Sequence, residues 1–161
     1  MKRILLFSAL ILTAMGINSS ATYGQQTNLQ KPDESSAKAI APIRAVLDAQ
    51  TAAWNRGDIE GFMNGYWRSN ETIFISGDTL RRGWDVVLEG YKKGYATRER
   101  MGTLAFSEIE IKLIGKDTAV AFGRWQLTFA YDPQQHGRFT LIFRKTSQGW
   151  RIVHDHTSSA S

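Results

Sequence analysis

Toward the end of this chain, Trp150-Arg151-Ile152-Val153-His154-Asp155-His156-Thr157-Ser158 sets two imidazoles and a carboxylate in a run of β-forming residues. Successive side chains of a strand point to opposite faces of its sheet, so Asp155 and the histidine pair must face opposite ways. A carboxylate turned inward among apolar residues loses hydration, and its pKa rises. It can then give and take protons near neutral pH as a general acid or base. The plainer alternative is a structural hydrogen bond to backbone or a helix cap. His154 and His156 have a spacing that suits a metal, but the sequence shows no third ligand. Neither a metal nor a cofactor is expected.

The preceding turn decides which face is inside. A three-residue loop, Ser147-Gln148-Gly149, puts glycine at a left-handed bulge position and opposes Thr146 to Trp150. Counting back, Phe143 then opposes Val153, Leu141 opposes Asp155 and Phe139 opposes Thr157, which turns Asp155 and Thr157 inward. A two-residue loop shifts the pairing by one and turns His154 and His156 inward instead. Ser-Gln is a poor primed turn, so the glycine-bulge register is the expected one. His154 and His156 then face outward, toward Ile142 and Thr140, in a surface or interface role.

Other residues could complete a pocket. Among the five tryptophans, mainly core anchors, Trp54 and Trp125 are the pocket candidates. Tyr66 and Tyr95 lie near helix ends, where a buried ring can direct its hydroxyl to a polar partner. Tyr91 shares that inward face. Arg124 and Arg138 sit in strand-rich segments, at a solvent edge or as an anion clamp, and Arg124 could pair with Asp155. Candidate ligand-binding residues are thus Trp54, Tyr66, Tyr95, Arg124, Trp125, Arg138 and Thr157, with Asp155 the catalytic candidate.

Helices and strands must hold these groups. Ile43, Val46, Leu47, Gln50, Ala53 and Trp54 recur at helical spacing, with Pro42 suited to the first turn. Asn55-Arg56-Gly57-Asp58 reads as a stop and restart, with Asp58 capping a short helix that carries Ile59, Phe62, Met63 and Tyr66. Thr72 to Ile75 forms a strand, turned by Ser76-Gly77-Asp78. Trp84, Val87, Leu88, Tyr91 and Tyr95 mark a third helix. From Thr103 the period becomes two, over strands Thr103 to Ile114, Thr118 to Ala130, Arg138 to Lys145 and Trp150 to Thr157. The apolar parity switches at Ser107-Glu108, as a β-bulge in a bent strand requires. Helices segregated from long antiparallel strands make the fold class α+β, a bent sheet around N-terminal helices with a cavity at its wide end.

The first residues belong to another device. Met1-Lys2-Arg3, an apolar run from Ile4 to Met15, and Ser19-Ser20-Ala21 form the pattern of a secretory signal peptide, residues 1–21, cleaved near Ala21 or Gly24. The apolar run is short for a membrane span of roughly 20 residues. Residues 22–36 read as a polar linker and 37–158 as one domain. The expected location is periplasmic or secreted, with no membrane association after signal removal. The chain has no cysteine, so its core must suffice without disulfides. Its formal net charge of +5 falls to +3 once Lys2 and Arg3 leave with the signal. The remaining basic clusters mix with acids, which argues against nucleic acid.

Ala53-Trp54-Asn55-Arg56-Gly57-Asp58, Gly83-Trp84, Tyr91, Gly123-Arg124-Trp125, Gly137-Arg138-Phe139-Thr140 and the run from Gly149 to Ser158 resemble SnoaL-like domains of the nuclear transport factor 2-like superfamily. The closing strand is also similar to that of the association domain of calcium/calmodulin-dependent protein kinase. The resemblance covers Ile40 to Ser158 and implies a cone-shaped α+β barrel, a homodimer through the sheet, and a pocket for a small molecule. Relatives include ketosteroid isomerase, dehydratases, cyclases and members with no known activity. Thr157 stands where the kinase domain has a clamp arginine, and the isomerase's tyrosine and two-aspartate set finds no match here. The expected function is an exported small-molecule-binding domain. An isomerase, dehydratase or hydrolase using Asp155, or an oligomerisation scaffold, are the alternatives.

Overall fold

The structure, a computed structural model, describes residues 34–130 and 134–160. The expected signal peptide and most of the expected linker lie outside those residues.

Helix α1 (Glu34–Asn55) buries Ile43, Leu47, Gln50, Ala53 and Trp54, one stripe at helical spacing. It starts at Glu34, inside the expected linker, so Pro42 stands in the body of the helix and not in its first turn. Pro42 lacks the N–H that would meet the Lys38 carbonyl, and both residues are exposed, so water can serve that oxygen. Gly57 takes the left-handed conformation at φ 83°, and Asp58 caps α2 (Ile59–Met63) by accepting from the Gly61 N–H at 2.7 Å. Helix α3 (Trp84–Gly94) buries Trp84, Val87 and Leu88. Two elements escaped the sequence reading. Strand β2 (Thr79–Arg82) is a short, mostly exposed edge strand without apolar alternation, and α4 (Arg98–Met101) is a single turn, too short for a period.

Strands β1 (Ile73–Ser76), β3 (Thr103–Leu113), β4 (Thr118–Thr128), β5 (Gln135–Thr146) and β6 (Gly149–Ser159) complete the set. They form one bent, open six-stranded sheet in the order β2-β1-β6-β5-β4-β3, with helices against its inner face. The expected purely antiparallel sheet needs one amendment: β1 runs parallel to β6, placing Phe74 beside Asp155. The bulge expected in β3 is present as a register shift between Ser107 and Glu110, with Glu108 at φ 51°.

The β5–β6 hairpin departs from the expected pairing and still delivers the expected face. Thr146 pairs with Gly149 across a two-residue loop, and Phe143 pairs with Ile152 rather than Val153. The register then shifts, so that Ile142 meets His154, Leu141 meets Asp155 and Phe139 meets Thr157. The extra residue is Val153, inside the strand, and not a loop residue. Trp150 and Ile152 therefore point inward before the bulge, and Asp155 and Thr157 after it. Gly149, at φ 94°, occupies the left-handed region that only glycine enters without strain.

Candidate functional site

Asp155 is 4% exposed, one of three buried polar residues among those described. Its neighbours follow from sheet pairing: Leu141 on β5 and Phe74 on β1 flank it. Both carboxylate oxygens are engaged. The Tyr66 hydroxyl donates to Oδ2 at 2.6 Å, and the Thr157 hydroxyl donates to Oδ1 at 2.7 Å. Tyr66 reaches this position because the chain after α2 forms a bridge to Ile152, and the Ile152 N–H donates to the Gly65 carbonyl at 2.9 Å.

Hydrogen-bond direction can be assigned along this chain by counting protons. A phenol has one proton, and Tyr66 gives its own to the ionised Asp155. The contact between the Tyr66 and Tyr91 hydroxyls, at 3.2 Å, is then donated by Tyr91. An ordered relay results, from Tyr91 to Tyr66 to Asp155, with Thr157 on the other oxygen.

Burial is the main force on these groups. It raises the Asp155 carboxyl to about 6, against the hydrogen bonds from Tyr66 and Thr157, which favour its charged form. Burial also pushes Tyr66 and Tyr91 well above the usual phenol range, and the nearby Asp155 charge adds to both. The two hydroxyls thus remain protonated donors when Asp155 ionises.

These groups border a cavity of about 90 Å³ between the helices and the sheet. From the helices, Trp54, Phe62, Tyr91 and Tyr95 line it, with Gln50 and Tyr66. From the sheet come Phe106, Trp125, Phe139, Leu141 and others, with Asp155 and Thr157. The aromatic wall is mutually braced: Trp54 meets Tyr95 edge-on at 4.7 Å between ring centroids and Phe62 at 5.1 Å. Indole N–H groups tie it to backbone, Trp54 to the Met101 carbonyl and Trp125 to that of Ser158, both at 3.0 Å. Gln50 holds α1 to α2 through the Phe62 carbonyl at 3.1 Å.

The structure thus brings Asp155, Trp54, Tyr66, Tyr95, Trp125 and Thr157 to one cavity. Arg124 and Arg138 go elsewhere, so neither is an anion clamp at Asp155. They oppose each other across β4 and β5, each next in sequence to a cavity-lining residue, Trp125 and Phe139. Both point outward and pair with Glu108 on the β3 bulge, at 3.9 Å and 2.7 Å. Tyr91 is the functional candidate that sequence reasoning passed over. Its place at i+4 before Tyr95 carried the signal, but only the packing of α3 beside α2 and the chain after it puts its hydroxyl on Tyr66. His154 and His156 face outward beside Ile142 and Thr140, as expected, and burial lowers the His154 pKa. Among the described residues no group of three or more His, Cys, Asp or Glu could hold a metal ion, and no helix is long and apolar enough to cross a membrane.

An open, bent sheet curled over helices around an aromatic cavity defines a cone-shaped α+β fold. The SnoaL-like domain profile matches residues 43–161, and the chain belongs to that family, within the nuclear transport factor 2-like superfamily. A nuclear transport factor 2-like protein of unknown function from Shewanella oneidensis shares 41% identity, with a TM-score of 0.69 over 73% of this chain and 96% of that one. A superfamily protein from Salmonella enterica is 23% identical, with a TM-score of 0.63 over 78% of this chain and 93% of that one. A proposed scytalone dehydratase from Novosphingobium aromaticivorans is 11% identical at a TM-score of 0.65, covering 78% and 86%, which is a likeness of fold alone. No curated protein sequence matches the chain.

Proposed function

We propose that this chain is an exported domain that binds a small, largely apolar molecule in the cavity, with a hydrogen-bond donor of the ligand facing Asp155. The observation that carries this reading is the buried carboxylate on the cavity floor, held by Tyr66 and Thr157. Once ionised, Asp155 only accepts, and each of its oxygens keeps a lone pair after serving one hydroxyl. A ligand hydroxyl or amine satisfies that acceptor, while the aromatic walls take an apolar body. A cavity left open beside a polar floor argues against a scaffold with a vestigial pocket.

A second reading has its own observation. A carboxyl near 6, linked in one hydrogen-bond chain to two phenols, has the protonation balance of a general acid or base at neutral pH. On this reading the domain is an isomerase, dehydratase or hydrolase in which Asp155 moves the proton.

Export rests on the residue pattern from Met1 to Ala21, and N-terminal sequencing of protein secreted by a bacterial host, starting at Thr22 or Gln25, tests it. A homodimer through the outer sheet face is supported by the partly exposed row Val120, Ile142 and His154 across β4, β5 and β6. For the ligand, thermal-shift screening of small acids, steroids and aromatic metabolites on wild type and Asp155→Asn is the test. A true ligand at about 100 times its dissociation constant stabilises wild type by roughly 2.7 kcal/mol. Equal shifts in the Asp155→Asn variant for every compound sink the binding role of Asp155. Turnover lost in the variant while binding persists selects the second reading.

A further inference from the structure

Beside the cavity lies a second hollow, a cleft of about 490 Å³, and Tyr91 and Tyr95 line both. The cleft is chemically unlike its neighbour. Arg81 from β2 and Arg100 from α4 face it, with the polar side chains of Ser76 and Gln135, and among the described residues it has no Asp or Glu.

Arg81 is held in place rather than waving in solvent. It is the cross-strand partner of Phe74, and its guanidinium carbon sits 5.6 Å from the Phe74 ring centroid. On its other side is Gly90 of α3. A Cβ there would come within 2.7 Å of the Arg81 Nε and 3.1 Å of its Cζ, so the missing side chain is what lets the guanidinium lie against the helix. No described carboxylate forms an ion pair with Arg81 or Arg100, whereas Arg56, Arg82, Arg124 and Arg138 all have one. A cation fixed by an aromatic ring and a glycine, with no acid partner among the described residues, is prepared for an anion from outside.

Charge is therefore sorted between the two neighbouring hollows, with Asp155 in the cavity and Arg81 and Arg100 in the cleft. An acidic ligand cannot place its anion against ionised Asp155, but it can place it on the arginines. We propose that cleft and cavity form one site for an aromatic or alicyclic carboxylic acid, its ring in the cavity and its carboxylate on Arg81 and Arg100. The inference rests on the cavity being a ligand site, as proposed above, and adds the class of molecule. The arginines come from β2 and α4, so this is a different device from a clamp on the last strand.

Three probes separate the two readings: 3-(4-hydroxyphenyl)propionate, its methyl ester, and 3-phenylpropionate. The ester removes the charge and keeps the phenol. The phenyl compound keeps the charge and removes the group that would meet Asp155. Quenching of Trp54 and Trp125 fluorescence, checked by calorimetry at low salt, gives the affinities. In wild type the acid binds roughly tenfold to hundredfold tighter than the ester, the worth of a charge-assisted contact. Arg81→Gln removes most of that preference, weakening the acid far more than the ester. Gly90→Ala does the same with both charges kept, since the new methyl displaces the guanidinium, and alanine is the better helix former, so the variant folds. Equal affinity of acid and ester in wild type, or a preference that survives both variants, overturns the inference. In either case an ester that binds wild type and is weakened by Asp155→Asn leaves the cavity reading standing. If none of the three binds, the inference falls, and the cavity reading is decided separately by the thermal-shift screen.

Discussion

Replacing Asp155 with asparagine should alter stability in a way that depends on pH, with a sign opposite to that of an ordinary salt-bridged carboxylate. The folded pKa of about 6 lies above the reference value of 3.8. Between those values the folded state holds a proton that the unfolded state has released, so stability falls as pH rises through the interval. Above about 6 the loss is complete and constant. At roughly 1.36 kcal/mol per pH unit, the interval corresponds to about 3 kcal/mol of stability present near pH 4 and absent at neutral pH. Asparagine cannot ionise, so the variant lacks this loss. Urea unfolding of both proteins from about pH 4 to about pH 8 gives the difference curve directly, because every other titrating group cancels in it. Stability of wild type relative to Asp155→Asn should drop by about 3 kcal/mol across the range, with its midpoint near pH 5. A flat difference curve, or one that climbs with pH, refutes the claim that burial outweighs the two hydroxyl donors at this carboxylate.

The relay and the outer face give three further tests. Tyr66→Phe withdraws a donor that favours the charged carboxylate and strips Tyr91 of its acceptor, so the Asp155 pKa should move above 6, as followed by carboxyl carbon NMR, with a stability loss of about 1–3 kcal/mol. Arg138→Ala breaks only an exposed pair with Glu108, so it should cost under about 1 kcal/mol by urea unfolding and leave ligand affinity unchanged; a large affinity loss would return Arg138 to the site. Ile142→Lys puts a charge in the outward row with Val120 and His154, so the homodimer proposed through that face should fall to monomer in sedimentation, while near-UV circular dichroism stays the same.

Most of this architecture was legible because periodicity reports burial. The helical stripe from Ile43 to Trp54, the Gly57-Asp58 restart and the parity switch at Ser107-Glu108 each follow from local rules, and the structure contains all three. What local pattern could not supply was the partner across space. Arg124 looks like a clamp until Arg138 is seen opposite it and Glu108, at φ 51° on the bulge, is seen taking both. Tyr91 looks like one inward aromatic among several until the fold brings the Tyr66 hydroxyl, bound to Asp155, against its own. Strand β2 has no apolar alternation at all, and yet it carries Arg81 to the cleft.

The last strand shows why a correct face can follow from an incorrect register. The glycine turn was expected to supply one extra residue in the loop; the extra residue is instead Val153, four positions further on. One unpaired residue anywhere before His154 has the same consequence downstream, because side-chain direction depends only on whether the count is odd or even. The two arrangements differ only between the turn and the bulge, where the structure buries Ile152 to 1% exposure and leaves Val153 partly exposed. A bulge there has a function that a loop residue lacks. It lets the strand contribute Trp150 and Ile152 to the core at one end and Asp155 and Thr157 to the cavity at the other, while His154 and His156 stay on the outer face. Without it, the two-residue hairpin would turn the imidazoles inward and leave the carboxylate outside, where neither the raised pKa nor the relay from Tyr91 could arise.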